Sequence, residues 1–302
     1  MQFNFTKYSI VYYIFSGILI IATIVCLFMF GLKFGIEFVG GSNMEVDFQQ
    51  APPLNEAVKN ALVSFNLGEI TVQPTGSTRI ILQFKGVDET THQQILTELN
   101  KLTPVTETSF QYIGPSVGQE LRNKTELAII LALLAITLYI AFAFRKVSRP
   151  VSSWKYGITS LLALFHDVLI PIGVFSVLGH MYNVEITIPI IAALLTVLGF
   201  SVHDTIVIFD RIRENIFRRG MGDFEETVNW SLNQTLGRSL STVFSTLIVL
   251  IAIFLVGGET LKYFSLALII GITAGAYSSI FLASTLLVSW YKHSLKKEQK
   301  AR

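Results

Sequence analysis

Six stretches of this chain are apolar for about 20 residues, the length a helix needs to cross a hydrocarbon layer about 30 Å thick. They lie at 10–32, 127–144, 158–178, 186–209, 240–256 and 264–290. No water in such a layer can satisfy backbone N–H and C=O groups, so each stretch must close its own hydrogen bonds as a helix. With 51% hydrophobic and 15% charged residues, and a mean hydropathy of +0.56, the chain is suited to lipid rather than water as its solvent. The last stretch is long enough to tilt or to run past the membrane. The first is longer than a signal peptide's apolar core and ends without a small-residue cleavage site, so it is expected to stay attached. Its Cys26 follows Ile24 and Val25, not the small residues of a lipoprotein site. A single cysteine builds neither a disulfide framework nor a thiolate metal site.

The basic residues set the orientation. Arg145, Lys146, Arg149 and Lys155 fall between the second and third stretches, and Arg211, Arg213, Arg218, Arg219 and Arg238 between the fourth and fifth. The loops on the other face, near 180–185 and 257–262, carry only Lys262, whereas the tail holds Lys292, Lys296, Lys297, Lys300 and Arg302. The positive-inside rule then puts both termini in the cytoplasm. The expected organisation is a cytoplasmic N-terminus (1–9), a first spanning helix (10–32), an extracytoplasmic domain (33–126), five more spanning helices (127–290) with a cytoplasmic loop at about 210–239, and a basic tail (291–302). A formal charge of +2 gives no footprint for nucleic acid, and the tail reads as a solvated membrane flank.

The segment 33–126 differs in kind, with acidic residues outnumbering basic ones. Alternation at Phe34, Ile36 and Phe38, then at Met44, Val46 and Phe48, predicts extended strand. A break at Pro52-Pro53 precedes a helical pattern through Val58, Leu62 and Phe65. Strands at 69–73 and 79–84 flank the turn signal Thr75-Gly76-Ser77, followed by a helix over 89–102 and a strand over 105–113. The order βαββαβ is that of an α+β ferredoxin-like domain. The run Gly35 to Ser42 spaces like a phosphate loop, but Gly41 stands where that loop needs its lysine, so the glycine pair is read as a bend in a strand.

Ionisable side chains inside a spanning helix cost on the order of 3 kcal/mol each. This chain keeps His166-Asp167 in the third stretch and His203-Asp204 in the fourth, with Asp210 at that stretch's edge. Imidazole and carboxylate both titrate, so the two pairs suit reversible proton binding at depth. Neighbouring helical positions point about 100° apart, which turns His203 and Asp204 toward different neighbours. The competing reading is polar glue between helices. Arg211 and Glu214 are spaced to pair, and Arg238 is either a counter-ion for Asp204 or a positive-inside anchor. Two isolated His-Asp pairs are a poor metal signal. Small residues at Ala267, Gly271, Gly275, Ser279 and Ala283 make a ridge for close helix packing.

Several motifs resemble the SecF family of Sec-translocase accessory subunits, within the resistance-nodulation-division superfamily. They are Gly35-Ile-Glu-Phe-Val-Gly-Gly41, Gly114-Pro-Ser-Val-Gly-Gln-Glu-Leu121, His166-Asp167, the run from Ser201 to Asn215, Gln234-Thr-Leu-Gly-Arg-Ser-Leu240 and Tyr277-Ser-Ser-Ile280. The resemblance covers nearly the whole chain. It implies a non-enzymatic subunit of the prokaryotic cytoplasmic (inner) membrane that couples proton flow to motion of an extracytoplasmic domain, helping preproteins outward. It implies a SecD-type partner, the SecYEG translocon, preprotein substrates and no cofactor beyond the proton gradient, sodium not being excluded. By motif, Asp204 is the protonatable carboxylate and Arg238 its basic partner, with His203, Asp167 and His166 completing the pathway. His203 departs from the family, which commonly has asparagine there. A proton-driven exporter of small molecules or lipids and a non-transporting scaffold are the alternatives. Six spans and one small domain weigh against the exporter, which usually carries about twelve spans, whereas in a scaffold the intramembrane charges would be polar glue.

Overall fold

The computed structural model describes residues 3–144, 151–219 and 223–300. Arg145, Lys146, Arg149 and Arg302, which carry part of the orientation argument, lie outside them. The chain divides into two compact units, one of residues 1–31, 129–178 and 189–302, the other of residues 32–128 and 179–188.

Among the described residues, six helical segments are long and apolar enough to cross a membrane. The elements in chain order are α1 (Ser9–Phe30), α2 (Ile36–Val39), β1 (Gly41–Phe48), α3 (Asn55–Leu62), β2 (Thr71–Thr75), β3 (Arg79–Phe84), α4 (Glu89–Leu102), β4 (Val105–Ile113), α5 (Pro115–Ala143), α6 (Ser153–Tyr182), α7 (Ile188–Arg219), α8 (Phe224–Val256), α9 (Glu259–Tyr277) and α10 (Ser284–Lys300). A π-helical turn, Ser278–Ala283, joins α9 to α10.

The helical unit buries its core where Tyr156, Leu164, Val202, Phe209, Val228, Ile280 and Leu287 meet. Helix α1 instead turns Ile10, Ile14, Ile18 and Ile21 outward, each more than half exposed, a surface that water would penalise and lipid solvates. The ridge of small residues does pack closely: Ala267 and Ala283 are fully buried, and a Cβ on Gly271 would collide with Val197 of α7. The ridge is not one regular row, because the π turn adds a residue to the helical path, and Ser284 Oγ donates to the Ser279 carbonyl five residues back (3.0 Å).

The segment at 210–239, expected as a cytoplasmic loop, is mostly helical. Helix α7 continues to Arg219 and α8 already begins at Phe224. Ion pairs within α7, Asp210–Arg213 (2.5 Å) and Glu214–Arg218 (2.7 Å), sustain its polar continuation. Asp223 caps α8 by accepting from the Glu225 N–H (2.9 Å). Polar composition ended the apolar runs without ending the helices. Helix α5 likewise starts at Pro115, ahead of residue 127, because proline suits a first helical turn and Glu120–Lys124 (2.7 Å) and Arg122–Glu126 (3.1 Å) stabilise the polar part.

In the other unit, four antiparallel strands run in the order β2-β3-β1-β4, with β1 opposite β3 from Ser42–Phe84 to Asp47–Arg79. Met44, Val46, Phe48, Ile80 and Leu82 project to one face, where α3 and α4 close the core with Val58, Leu62, Ile95 and Leu99. The residues between them, such as Asn43 and Gln83, face the opposite side of the sheet. The strand expected over Phe34, Ile36 and Phe38 is corrected by the structure. Ile36–Val39 is one helical turn, and Phe34 makes a single parallel bridge to Ile186. Four residues are too few for apolar spacing to separate period 2 from period 3.6. The glycine pair does bend the chain, with Gly40 at φ +76° and Gly41 at φ +150°. A Cβ on Gly40 would also lie 3.0 Å from the Pro115 Cα at the start of α5.

Gly271→Ala is expected to destabilise the helical unit by about 1–3 kcal/mol through overpacking. Val197→Ala in the same chain should recover part of that loss, measured as thermal inactivation midpoints of the detergent-purified protein.

Candidate functional site

Among the described residues two carboxylates are buried within the helical unit, and their surroundings are opposite in kind. Asp167 of α6 is fully buried. Its Oδ2 accepts from Ser201 Oγ of α7 (2.5 Å) and from Ser278 Oγ at the start of the π turn (2.6 Å). Its Oδ1 lies 2.9 Å from His166 Nδ1, although adjacent helical residues ordinarily point apart. His166 is itself 1% exposed, and its Nε2 has no partner. With Nδ1–H donating to the carboxylate, that Nε2 is left as an unpaired acceptor.

Asp204 of α7 is 6% exposed and far less satisfied. Oδ1 accepts one long hydrogen bond from Ser239 Oγ of α8 (3.3 Å), and Oδ2 has no partner. Beside it Thr205 Oγ1 pairs with Ser279 Oγ of the π turn (2.8 Å). Adjacent serines of the π turn thus reach Asp167 and the neighbour of Asp204.

The remaining expected residues are placed differently. Arg238 is exposed and makes no ion pair with Asp204, and the residue of α8 that reaches the carboxylate is the adjacent Ser239. Arg238 lines a cleft of about 370 Å³ with Val207, Asp210, Arg211, Glu214, Gln234 and Thr235. There Arg211 donates to Gln234 (2.6 Å) and Glu214 (2.5 Å), the latter pair as the spacing indicated. His203 is exposed on another face of α7, next to Ile136, Tyr139 and Gly199, and does not bond Asp204. The site therefore joins Asp167 with His166, while Asp204 forms no hydrogen bond or ion pair with His203 or Arg238.

Sequence reasoning missed Ser201, Ser239 and Ser278 as ligands of the carboxylates. Spacing held a usable signal, since Ser201, Asp204, Thr205 and Ile208 fall at i, i+3, i+4 and i+7 and share one buried face of α7. Among the described residues, no group of three or more His, Cys, Asp or Glu side chains could hold a metal ion.

Six helices long and apolar enough to span a membrane, with an α+β insertion and two buried carboxylates, define a polytopic membrane protein. Residues 92–293 match the family described as protein export membrane protein SecD/SecF, C-terminal, and residues 27–52 match the SecD/SecF GG motif. This chain belongs to the SecD/SecF family of protein export membrane proteins. It is 43% identical to protein translocase subunit SecF of Thermobaculum terrenum, across 95% of this chain and 93% of that one. Its identity to the SecF subunit of Vibrio alginolyticus is 38%, across 98% and 91%. It superposes on the crystal structure of SecDF, a translocon-associated membrane protein from Thermus thermophilus, with a TM-score of 0.84 at 31% identity. That match covers 96% of this chain and 39% of the SecDF chain. For SecDF in its super-membrane-facing form the TM-score is 0.72 at 31% identity, covering 100% of this chain and 40% of that one. The chain thus spans about two-fifths of the solved SecDF chains.

Removing one donor from a buried carboxylate costs about 1.5–3 kcal/mol. Ser201→Ala and Ser278→Ala are each expected to lower the thermal midpoint of the purified protein. Ser239→Ala, which removes only a long contact, should lower it less.

Proposed function

We propose that this chain is the SecF-type subunit of an accessory complex for Sec-dependent protein export, and that it couples proton movement through its helices to motion of its α+β unit. The observation that carries this reading is Asp204, a buried carboxylate with one oxygen unpartnered and only a 3.3 Å contact on the other. A group so poorly satisfied as an anion gains from taking up a proton, whereas full pairing would fix its charge. Moving one charge through the membrane potential is worth about 2.3 kcal/mol per 100 mV, enough to bias two packings of a helix bundle. Asp204 is the carrier in this scheme. Arg238, in the polar cleft at 207–238, supplies a positive potential on one approach, and His203 a titratable group on another face of α7. His166 and Asp167 form a second proton-binding pair, bonded to Ser278 of the π turn, whose next residue, Ser279, pairs with Thr205 beside Asp204.

We read the α+β unit as ferredoxin-like and extracytoplasmic. The strand order β2-β3-β1-β4 supports the first reading, and the basic residues on the opposite loops support the second. Both termini then lie on the cytoplasmic side of the inner membrane. The solved SecDF chains are more than twice as long as the part matched here, which supports a SecD-type partner for this chain. The SecYEG translocon and preproteins complete the proposed assembly. No cofactor beyond the ion gradient enters the scheme, which treats the subunit as non-enzymatic and takes the ion to be a proton, with sodium as the alternative.

Asp204→Asn is expected to insert and to assemble with its partner, yet to abolish the stimulation of preprotein export by an imposed proton gradient in membrane vesicles. Wild-type stimulation in that variant would refute the proton-carrier role. Stimulation that follows an imposed sodium gradient instead would change the ion and keep the residue.

A further inference from the structure

The segment between α6 and α7 belongs to the α+β unit, and its contacts there form a clasp with a titratable centre. Val184 and Ile186 are buried and anchor it. The Gly35 N–H donates to the Ile186 carbonyl (2.9 Å), and the Ile186 N–H donates to the Lys33 carbonyl (2.7 Å). Asn183 turns the chain with a left-handed backbone (φ 55°) that asparagine tolerates. Its carbonyl accepts from Gln73 Nε2 of β2 (2.6 Å), and its side chain from Lys33 Nζ (2.5 Å). At the centre, Glu185 Oε2 accepts from Gln83 Nε2 of β3 (2.9 Å). The Glu37 carboxylate converges on the same spot, since a Cβ on Gly35 would strike Glu37 Oε2 and lie 3.4 Å from Glu185 Oε2.

We propose that residues 179–188 form a pH-operated latch, closed on the α+β unit while Glu185 is protonated beside Glu37 and loosened when Glu185 ionises. A neutral Glu185 still accepts from Gln83 and carries no charge toward Glu37. An ionised Glu185 places like charges together in a half-buried setting, which Lys33 offsets only in part because it is exposed and already bonded to Asn183. The charged groups facing Glu185 are therefore Glu37 from α2 and Lys33 from the chain after α1. Strands β2 and β3 present neutral Gln73 and Gln83, and Arg79 at the far end of β3 is paired with Glu45 (3.0 Å). Burial, and secondarily the Glu37 charge, pushes the Glu185 carboxyl up to about 7 against the pull of Gln83 and Lys33, and burial raises Glu37 as well. Because the closed state holds its proton more tightly than a free carboxyl of 4.5, the latch is firmest below that value. It weakens as pH rises, and levels off above about 7. The latch itself does not depend on the proton-carrier reading, although its use would. The segment is continuous with α6, which carries Asp167, and with α7, which carries Asp204.

Hydrogen exchange of peptides containing Ile186, in the full chain in lipid nanodiscs and corrected for the intrinsic pH dependence, reads the latch directly. Wild-type protection is expected to fall about tenfold or more between pH 5 and pH 8, within the tenfold-per-unit bound set by the shift. Glu185→Gln keeps an acceptor for Gln83 and should hold the low-pH protection at both values. Gln83→Leu removes the donor and should lower protection at both. A pH profile in Glu185→Gln that matches wild type, a flat wild-type profile, or unchanged protection in Gln83→Leu would overturn the latch. Because none of these measurements involves export, they stand apart from the outcome for Asp204→Asn.

Discussion

A carboxylate taken out of water must have its charge met by the protein, and Asp167 is where this bundle meets that demand. A buried carboxylate without partners would be neutralised or expelled. Here two hydroxyls and an imidazole hold it, and they come from α6, α7 and the start of the π turn. One side chain thus pins three segments that apolar contacts alone would let slide, because hydrocarbon tails solvate leucine as well as a neighbouring helix does. Gly275 belongs to the same arrangement: a Cβ there would lie 3.2 Å from Ser201 Cβ and 3.5 Å from Asp167 Oδ2, so the small residue keeps the hydroxyls within reach.

Asp204 inverts that logic one turn farther along α7. Ser201 and Asp204 are three apart and share a helix face, yet the first completes a satisfied network while the second is left with an unpartnered oxygen. The difference leaves one carboxylate with partners on both oxygens and the other with a single long contact. The π turn relates them. Ser278 donates to Asp167, whereas Ser279 pairs with Thr205 beside Asp204. A π turn holds an extra residue that an α-helix would exclude, so it can take up a change in helix register where regular helix would have to break.

How far the sequence disclosed this depended on the period of the signal. The helix over 89–102 and the strand over 105–113 appear with those ends because Asp88 caps the first by accepting from the Thr91 N–H (3.0 Å), and the second opens after Pro104. The spanning helices were legible from length, but their polar ends were not. Hydropathy stops at the membrane boundary, whereas α7 and α8 continue through ion pairs and a cap. The two carboxylates stood out as costly residues in apolar runs. Their serine partners did not, because a serine in a spanning helix more often bonds its own helix's carbonyl, as Ser265 does to Leu261 (2.6 Å). Arg238 shows the limit from the other side. Its sequence neighbourhood does meet α7, but one residue's rotation on α8 gives the contact to Ser239 and leaves Arg238 lining the cleft.

Chain continuity adds a constraint that neither unit has alone. The backbone passes between the units at 31–32, 128–129, 178–179 and 188–189, and the last two passages bound a single ten-residue segment. Its ends are the ends of α6 and α7, the helices that carry the two buried carboxylates. A shift of α6 against α7 cannot be absorbed by slack there, because Ile186 is paired on both sides of its peptide with Lys33 and Gly35, and Asn183 is bonded to Gln73. Either those hydrogen bonds break or the segment 33–35 and strand β2 that make them move. The covalent path from α6 to α7 therefore runs through hydrogen bonds that belong to the α+β unit, with Glu185 at their centre.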